Sequence, residues 1–270
     1  MRSSILLVFL FSATIACKEV NNEFHELVAD RSYVKAAIWL DSNPNETVDA
    51  MDMLSVARYY REGVNFEKSR SILERLLKSD STNVPARLLM ADVMREQTDY
   101  NPALVIYNEL AEIDSVRFIV LAERARLYTS LHEFDKAQKD VMESKSMQPK
   151  YYASFLADGL LQYAKGDMEH ALDLFEIAEN LDPGLSAEAS LYAGVILLKS
   201  NINHDARFKF DRAIEVGRNI NKGYAFINRG ICQLNITDTV FACEDFDSAM
   251  TYMPEQAKQY ISNYCGSIKE

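Results

Sequence analysis

The stretch ALDLFEIAENLDPG, residues 171–184, places small residues at Ala171 and Ala178, an aromatic residue between them at Phe175, and a proline at Pro183. The four positions are separated by 4, 3 and 5 residues. Small residues let two helices pack closely, and a proline ends a helix. If this spacing recurs along the chain at a constant period, the protein is an array of repeats.

The spacing occurs six times, counting the stretch quoted above. The first small residue of each occurrence is Ser69, Ala103, Ala137, Ala171, Ala206 or Ala242, and these positions are 34, 34, 34, 35 and 36 residues apart. Another small residue stands twelve positions earlier in each unit, at Ala57, Ala91, Ala125, Gly159, Gly194 and Gly230. Both segments of each unit carry apolar residues at helical spacing, and a short polar turn separates them. Each unit is therefore predicted to be a helical hairpin whose helices cross at the small residues.

This pattern resembles the tetratricopeptide repeat family, which has a period of about 34 residues. The resemblance covers about 50–256, although the tryptophan common in the family is absent from all six units. It implies an all-α, right-handed α-solenoid of about six helical hairpins. Residues 17–49 are predicted to hold an anchor cysteine, a short tether and a leading half-repeat around Trp39, and 257–270 a C-terminal capping helix.

Residues 1–16 have the layout of a signal peptide: one positive charge at Arg2, an apolar run, and small residues ending at Ala16. The run is too short to span a bilayer. The segment ending in Cys17 resembles a bacterial lipoprotein box, with Thr14 where that family usually has leucine. We therefore expect a protein exported and lipid-anchored through Cys17 to the cell envelope, at the outer membrane facing the periplasm or the surface. The alternative is ordinary cleavage that leaves Cys17 as a free thiol.

The composition excludes one class of partner. Lys and Arg number 29 against 40 Asp and Glu, a net charge of −11. Phosphates of nucleic acids would repel so acidic a chain, so nucleic-acid binding is not expected. Hydrophobic residues make up 48% of the chain, which is typical of a folded protein.

Three late cysteines, Cys232, Cys243 and Cys265, have a spacing that fits no zinc or redox motif. Two of them could pair in an exported protein, but we favour their interpretation as small buried hydrophobic residues. Whether a disulfide forms stays open, as does the oligomeric state.

The sequence offers no set of residues suited to catalysis. Glycine-rich phosphate loops, zinc-protease motifs and paired-cysteine knuckles are absent, and the four histidines, at His25, His132, His170 and His204, are isolated. We therefore expect no enzymatic activity, no metal and no cofactor.

The family resemblance also implies where a partner binds. The concave surface of such repeats is lined mainly by the first helix of each hairpin, here called helix A. In the first three repeats this gives a charged wall where Arg58, Arg95 and Arg126 offer possible polar contacts to acidic partners. Their neighbours Glu62, Glu96 and Glu123 favour a salt-linked, solvated face instead. The Lys and Asn with which some relatives hold chaperone tails are missing, so chaperone-tail binding is disfavoured.

The last three repeats imply a mostly apolar wall. The residues predicted to form this partner-binding groove are Leu156, Leu160, Tyr163, Leu191, Tyr192, Val195, Tyr224, Ile227 and Ile231. A groove of this kind would receive an amphipathic helix or an extended peptide. The alternative is that the terminal helix or tight curvature already covers these residues.

The resulting expectation is a non-catalytic protein–protein interaction scaffold at the bacterial cell envelope. It would bind a peptide or helix of another protein in the concave groove. The alternatives are a structural homo-oligomer that uses the apolar wall as a dimer interface, or an accessory subunit of an envelope assembly machine or enzyme.

Overall fold

The computed structural model describes residues 22–266, and every regular element in that range is an α-helix, which confirms the predicted all-α fold. The helices are α1 Asn22–Ala29, α2 Tyr33–Ser42, α3 Ala50–Glu62, α4 Phe66–Ser79, α5 Val84–Glu96, α6 Tyr100–Leu110, α7 Arg117–Ser130, α8 Phe134–Met147, α9 Tyr152–Lys165, α10 Met168–Leu181, α11 Ala187–Lys199, α12 Asn203–Val216, α13 Asn219–Asn235, α14 Thr239–Ala249 and α15 Pro254–Tyr264. None of these helices is both long and apolar enough to cross a bilayer. The predicted signal peptide and Cys17 lie outside the described residues.

The chain divides into two compact units within α3, between Val56 and Ala57. In the first unit α1 and α2 form a short hairpin, in which Phe24 is fully buried and its ring lies 5.5 Å from that of Trp39. The leading half-repeat predicted around Trp39 therefore has another helix, α1, ahead of the helix that contains Trp39. The sequence did not reveal α1 because Phe24 stands where the other units have a small residue.

The second unit contains the repeated hairpins, with helix A and its partner packed as α5 on α6, α7 on α8, α9 on α10, α11 on α12 and α13 on α14. The small residues lie where the two helices cross, as predicted. A Cβ atom added to Gly159, Gly194 or Gly230 would lie 2.6 Å from a phenylalanine ring of the partner helix. Earlier hairpins combine alanine with other residues at the same spacing, for example Ala125 and Val141 in one core cluster.

The turns inside the hairpins share one backbone feature. A residue with positive φ occurs at the same repeat position, five residues before each small anchor: Val64, Thr98, His132, Gly166, Asn201 and Thr237. Arg31, in the first unit, has the same relation to Ala36. Only one of the seven is glycine, so the left-handed turns are fixed by the packing of the hairpins rather than by the residue type.

The last helix, α15, packs on α14 and covers the end of the array, as the capping prediction expected. The ring of Tyr260 stacks on that of Phe246 with 5.1 Å between centroids. This return of the chain brings Cys265 beside Cys243, and the two form a disulfide. The favoured interpretation of all the late cysteines as unpaired was therefore wrong for these two, because a spacing of 22 residues does not show that the helix folds back. Cys232 is free and buried, as interpreted.

Candidate functional site

The second unit contains a cavity of about 740 Å³, lined mainly by the ends of the A helices and by the connections after α10 and α12. Its charged lining residues are Arg61, Glu62, Asp92, Arg95, Glu96, Glu123, Arg126, Glu188 and Arg218. We call Arg61, Asp92, Arg95, Glu96, Glu123, Arg126 and Glu188 the charged floor, because their side chains are largely buried. No group of side chains among residues 22–266 is arranged to hold a metal ion.

One half of the charged floor is well paired. Arg61 donates from Nε and Nη2 to the carboxylate of Glu96, with a shortest distance of 2.5 Å, and its Nη1 lies 3.4 Å from Asp92. The hydroxyl of Tyr107 donates to Asp92 at 2.6 Å. Burial raises the pKa of Asp92 despite the nearby Arg61, so this carboxyl holds its charge less readily than an exposed one.

The other half of the charged floor connects two repeats that are far apart in the sequence. Arg126 on α7 donates from Nη2 to both oxygens of Glu188 on α11, at 2.6 and 2.8 Å, across 62 residues of sequence. Its Nη1 lies 3.3 Å from Glu123. Burial alone would raise the pKa of Glu123, but the charges of Arg126, Arg95 and Arg61 outweigh it and lower the pKa. The Arg126–Glu188 pair shows that the array curves tightly enough for α7 to meet α11 across the groove.

Arg95 is the least satisfied member of the charged floor. Its side chain is only 9% exposed, and its contacts are long: Nη2 lies 3.4 Å from Glu96 and 3.5 Å from Glu123. The Nε atoms of Arg95 and Arg126 are both buried and make no hydrogen bond to any described residue. Because unsatisfied buried donors are unfavourable, the floor has donor capacity left for a ligand.

The mouth of the cavity combines one ion pair with apolar side chains. Arg218 donates to Glu62 at 2.8 Å, across 156 residues of sequence. Around this pair Val64, Leu185 and Tyr224 line the cavity while remaining 41%, 55% and 42% exposed. We call these three residues the apolar rim.

A second cavity, of about 310 Å³, also has Arg126 and Glu188 in its lining. It shares Arg95, Arg126, Glu188 and Tyr192 with the first and is further lined by residues that include Leu160, Tyr163 and His132. Tyr163 packs edge-on against Tyr192, and Tyr192 stacks on Phe175, with 5.5 and 5.8 Å between ring centroids. Burial raises the pKa of Tyr192 to about 12, so this phenol stays neutral.

The residues predicted to form the apolar groove lie partly in core clusters and partly in the linings of the two cavities. Leu156, Leu191 and Ile227 are buried in core clusters. Val195 and Ile231 are partly buried and pack against such clusters. These residues therefore do not form the open wall that was expected, because neighbouring hairpins cover them. Leu156, although largely buried, lines the 740 Å³ cavity, and Leu160, Tyr163, Tyr192 and Tyr224 also line a cavity.

The three arginines predicted to make polar contacts, Arg58, Arg95 and Arg126, lie in different surroundings. Arg95 and Arg126 belong to the charged floor, and their interpretation as part of a solvated face was wrong because both side chains are buried, Arg95 beside Glu123 and Arg126 between Glu123 and Glu188. Arg58 is exposed and lines neither cavity. Glu188, Leu185 and Arg218 were missed. Leu185 and Arg218 lie outside the A helices, so the expectation that helix A lines the concave surface could not have found them. Glu188 lies in the first turn of a helix A, α11, where that expectation could have found it.

Comparisons with known proteins agree on the fold. No protein-family model matches the chain. The Small glutamine-rich tetratricopeptide repeat-containing protein 2 of Saccharomyces cerevisiae is 31% identical over 91 residues, which are 34% of this chain. The chain spans about a quarter, 26%, of the length of that relative.

Two solved structures resemble the whole array. A tetratricopeptide repeat protein from Parabacteroides merdae has a TM-score of 0.62 at 15% identity, with 89% of this chain and 95% of that one covered. A chain of the APC/C hetero-tetramer Cut9–Hcn1 has a TM-score of 0.63 at 15% identity, with 89% and 45% covered. The chain thus has the α-solenoid fold of tetratricopeptide repeat proteins, and the name of the yeast relative supports the family that the repeat indicated.

Proposed function

We propose that this chain is a non-catalytic interaction scaffold at the bacterial cell envelope that binds a segment of a partner protein in the 740 Å³ cavity. The observation that carries the proposal is the apolar rim of Val64, Leu185 and Tyr224 above the charged floor. Apolar side chains that stay exposed around a concave site are a common mark of binding surfaces.

The size of the cavity limits the occupant. Pockets of about 300–1,000 Å³ hold ligands of drug size, which corresponds to a few amino-acid side chains. Because the Arg126–Glu188 pair connects α7 to α11, a long helix lying along the concave side would have to break it. We therefore favour a short extended segment or the end of a helix as the bound element, with its apolar side chains on the rim.

The relatives support binding to protein rather than another activity. One solved structure of this fold belongs to a hetero-tetramer of two proteins, Cut9 and Hcn1. A preformed array can bind a partner segment without first being ordered, which lowers the entropic cost of association.

Two features support the location. The sequence pattern up to Cys17 resembles a lipoprotein signal, and the Cys243–Cys265 disulfide is of a kind that persists in oxidising compartments outside the cytosol. We propose that the protein is exported and anchored through lipid on Cys17. A Cys17→Ser variant should leave the membrane fraction after a salt wash, and its retention there would contradict the anchor.

The homodimer alternative loses its main support, because Leu156, Leu191 and Ile227 of the predicted apolar wall are buried within the protomer. A role as accessory subunit of an envelope assembly or enzyme is compatible with the same cavity, since such a subunit also binds protein.

The function can be tested by cross-linking in native membranes followed by purification. A Leu185→Glu/Tyr224→Glu variant changes the rim, and Val240→Glu/Phe241→Glu adds the same charge at exposed apolar residues outside both cavities. Circular dichroism should show that both variants remain folded. We expect partners to be lost from the rim variant and kept by the control. Equal partner sets in both would contradict binding at the cavity.

A further inference from the structure

The mouth of the 740 Å³ cavity lies between two segments that are far apart in the sequence. Residues in 61–66, where α3 ends and α4 begins, line one side, and residues in 216–224, where α12 ends and α13 begins, line the other. The ion pair of Glu62 and Arg218 joins the two sides across 156 residues of sequence. Because each repeat of a solenoid packs mainly on its neighbours, a contact over this separation closes the array rather than stacks it.

The two ion pairs that connect distant repeats differ in burial. Arg126 binds both oxygens of Glu188, and their side chains are only 13% and 27% exposed. In the pair at the mouth, Arg218 is 69% exposed and Glu62 is 35% exposed. An exposed ion pair is weak and is screened by salt, whereas breaking a buried one leaves a charge without compensation. The pair at the mouth therefore opens far more readily than the inner pair.

The apolar rim is divided between the two sides of the mouth. Val64 follows Glu62 by two residues, and Tyr224 follows Arg218 by six. Leu185 lies in the connection after α10, in neither of the two segments. Parting of Glu62 from Arg218 would therefore move Val64 away from Tyr224 and widen the mouth between them.

We propose that the Glu62–Arg218 ion pair is a latch across the mouth of the cavity, and that a partner segment enters while the latch is open. The inference rests on the proposed function, since it names what controls entry to the same cavity. The Arg126–Glu188 pair keeps α7 and α11 together while the two sides of the mouth part.

A thiol inside the cavity measures the opening without any partner. Ala153 on α9 lines the cavity and is only 3% exposed, so a thiol introduced by Ala153→Cys reacts with a bulky reagent when the mouth widens. The reagent is biotin–polyethylene glycol maleimide, which is uncharged, and the full chain is kept in detergent micelles. Mass spectrometry gives the rate at each cysteine separately. Cys232, which is buried and lines neither cavity, reports general loosening in the same molecule.

Removal of either charge of the latch should speed the reaction of the introduced thiol. We expect Glu62→Gln and Arg218→Gln each to raise its rate about two- to fivefold, the factor that an exposed ion pair supplies, with no change at Cys232. Glu62→Arg should raise the rate further, because two arginines then face each other. Glu62→Arg/Arg218→Glu should restore the slow rate. The matched control is Glu74→Gln, which breaks an exposed pair with Arg70 outside both cavities and should have no effect.

Salt provides an independent readout of the same latch. Raising the salt concentration from about 0.1 M to about 1 M shortens the screening length from about 10 Å to about 3 Å. The rate at the introduced thiol should therefore rise with salt when Glu62 and Arg218 are both present. It should rise much less in the Glu62→Gln background, where the pair is already broken.

A chemical lock tests whether opening admits the partner. In a Glu62→Cys/Arg218→Cys variant, bismaleimidoethane joins the two introduced thiols, while N-ethylmaleimide caps them without joining them. Both forms carry the same substitutions and differ only in the link. Each is added to a detergent extract of membranes that lack the protein, with a photoreactive residue in place of Tyr224. We expect the capped form to capture a partner after illumination and the joined form to capture little of it.

Four results would overturn the inference: unchanged thiol rates in both Gln variants, a charge swap that stays fast, a rate that rises equally at Cys232, or equal capture by the joined and capped forms. The proposed function fails in a different way. It fails if the rim variant of Leu185 and Tyr224 loses no partner, whatever the thiol rates are. The latch fails if that variant loses partners but neither the thiol rates nor the capture respond to the pair.

Discussion

A Cβ atom at Gly159 would lie 2.6 Å from the ring of Phe175, which stands sixteen residues later on the partner helix of the same hairpin. Gly194 has the same relation to Phe210, and Gly230 has it to Phe246. These glycines have ordinary helical backbones, so the space beside the ring, and not backbone freedom, is what requires glycine there. The close approach of helix A to its partner in the last three hairpins depends on it.

Gly159→Ala should therefore destabilise the protein although alanine is the better helix former. The added methyl group must displace a fully buried ring, which costs about 1–3 kcal/mol. Chemical denaturation measures the free energy of unfolding. Gly184→Ala is the matched control, because its nearest neighbour would lie 3.5 Å away, and it should be nearly neutral.

Another hairpin of the same chain indicates which substitution should compensate for Gly159→Ala. The α7–α8 hairpin combines Ala125 with Val141 at the same spacing. A Gly159→Ala/Phe175→Val double variant should therefore lose less stability than the sum of the two single variants. A double variant that simply adds the two losses would contradict direct packing between these positions.

Removing the disulfide should loosen the cap at α15. The Cys243–Cys265 bond closes a loop of 22 residues, which in the chain-entropy treatment stabilises the folded state by about 3 kcal/mol. Cys265→Ser should lower the melting temperature and speed hydrogen exchange in α15 more than in α9. Adding a reductant should lower the melting temperature of the wild type but leave the variant unchanged. If the reductant lowers both equally, the effect does not come from this bond.

Arg229→Gln should reduce stability because it leaves the buried carboxylate of Asp245 without its arginine partner. Arg229 binds both oxygens of Asp245, which is nearly buried, at 3.0 and 2.6 Å. We expect a loss of about 2–3 kcal/mol, since Arg229 itself is a quarter exposed. Lys258→Gln, which breaks the exposed pair with Glu255, should change the free energy of unfolding by about 0.5 kcal/mol or less.

The loss in Arg229→Gln should also depend on pH. Burial raises the pKa of Asp245, and the hydrogen bond from Arg229 counteracts this, so the variant raises the pKa further. A carboxyl with a raised folded pKa contributes stability below its unfolded pKa, and loses that contribution as the pH rises through the folded value. The defect should therefore be largest at neutral pH and shrink towards about pH 4. A defect of constant size across this range would show that lost packing, not charge, is responsible.

His25 should titrate above the ordinary histidine value. Its Nδ1 lies 2.7 Å from a carboxylate oxygen of Asp52, and this hydrogen bond and the charge of Asp52 raise the pKa of His25 above 6.5. The pair stabilises the first unit fully below pH 6.5, and the contribution is lost as the pH rises through the raised pKa. Nuclear magnetic resonance titration of the ring should show a lower pKa in Asp52→Asn. An unchanged pKa would contradict the pairing.

The repeat predicted the hairpins because its small residues and turns obey local rules of packing. The same rule could not show the disulfide, since the return of α15 depends on the contact of Tyr260 with Phe246. The repeat pattern also placed Arg95 and Arg126 on the concave surface, but it did not show that their side chains are buried there. That burial follows from the curvature of the array, which brings Glu188 to Arg126 across 62 residues and depends on the sum of many small inter-repeat rotations.

The central claim is that a partner segment enters the cavity through the apolar rim. The most direct measurement places the photoreactive amino acid p-benzoylphenylalanine at Tyr224, on the rim, and at Phe208, which is 72% exposed and lines neither cavity. Both variants place the same enlarged aromatic side chain at an exposed aromatic position, so they differ only in where the photoreactive group lies. After illumination in native membranes, we expect a discrete cross-linked partner from position 224 and none of that mass from position 208. The same product from both positions, or from 208 alone, would contradict the account.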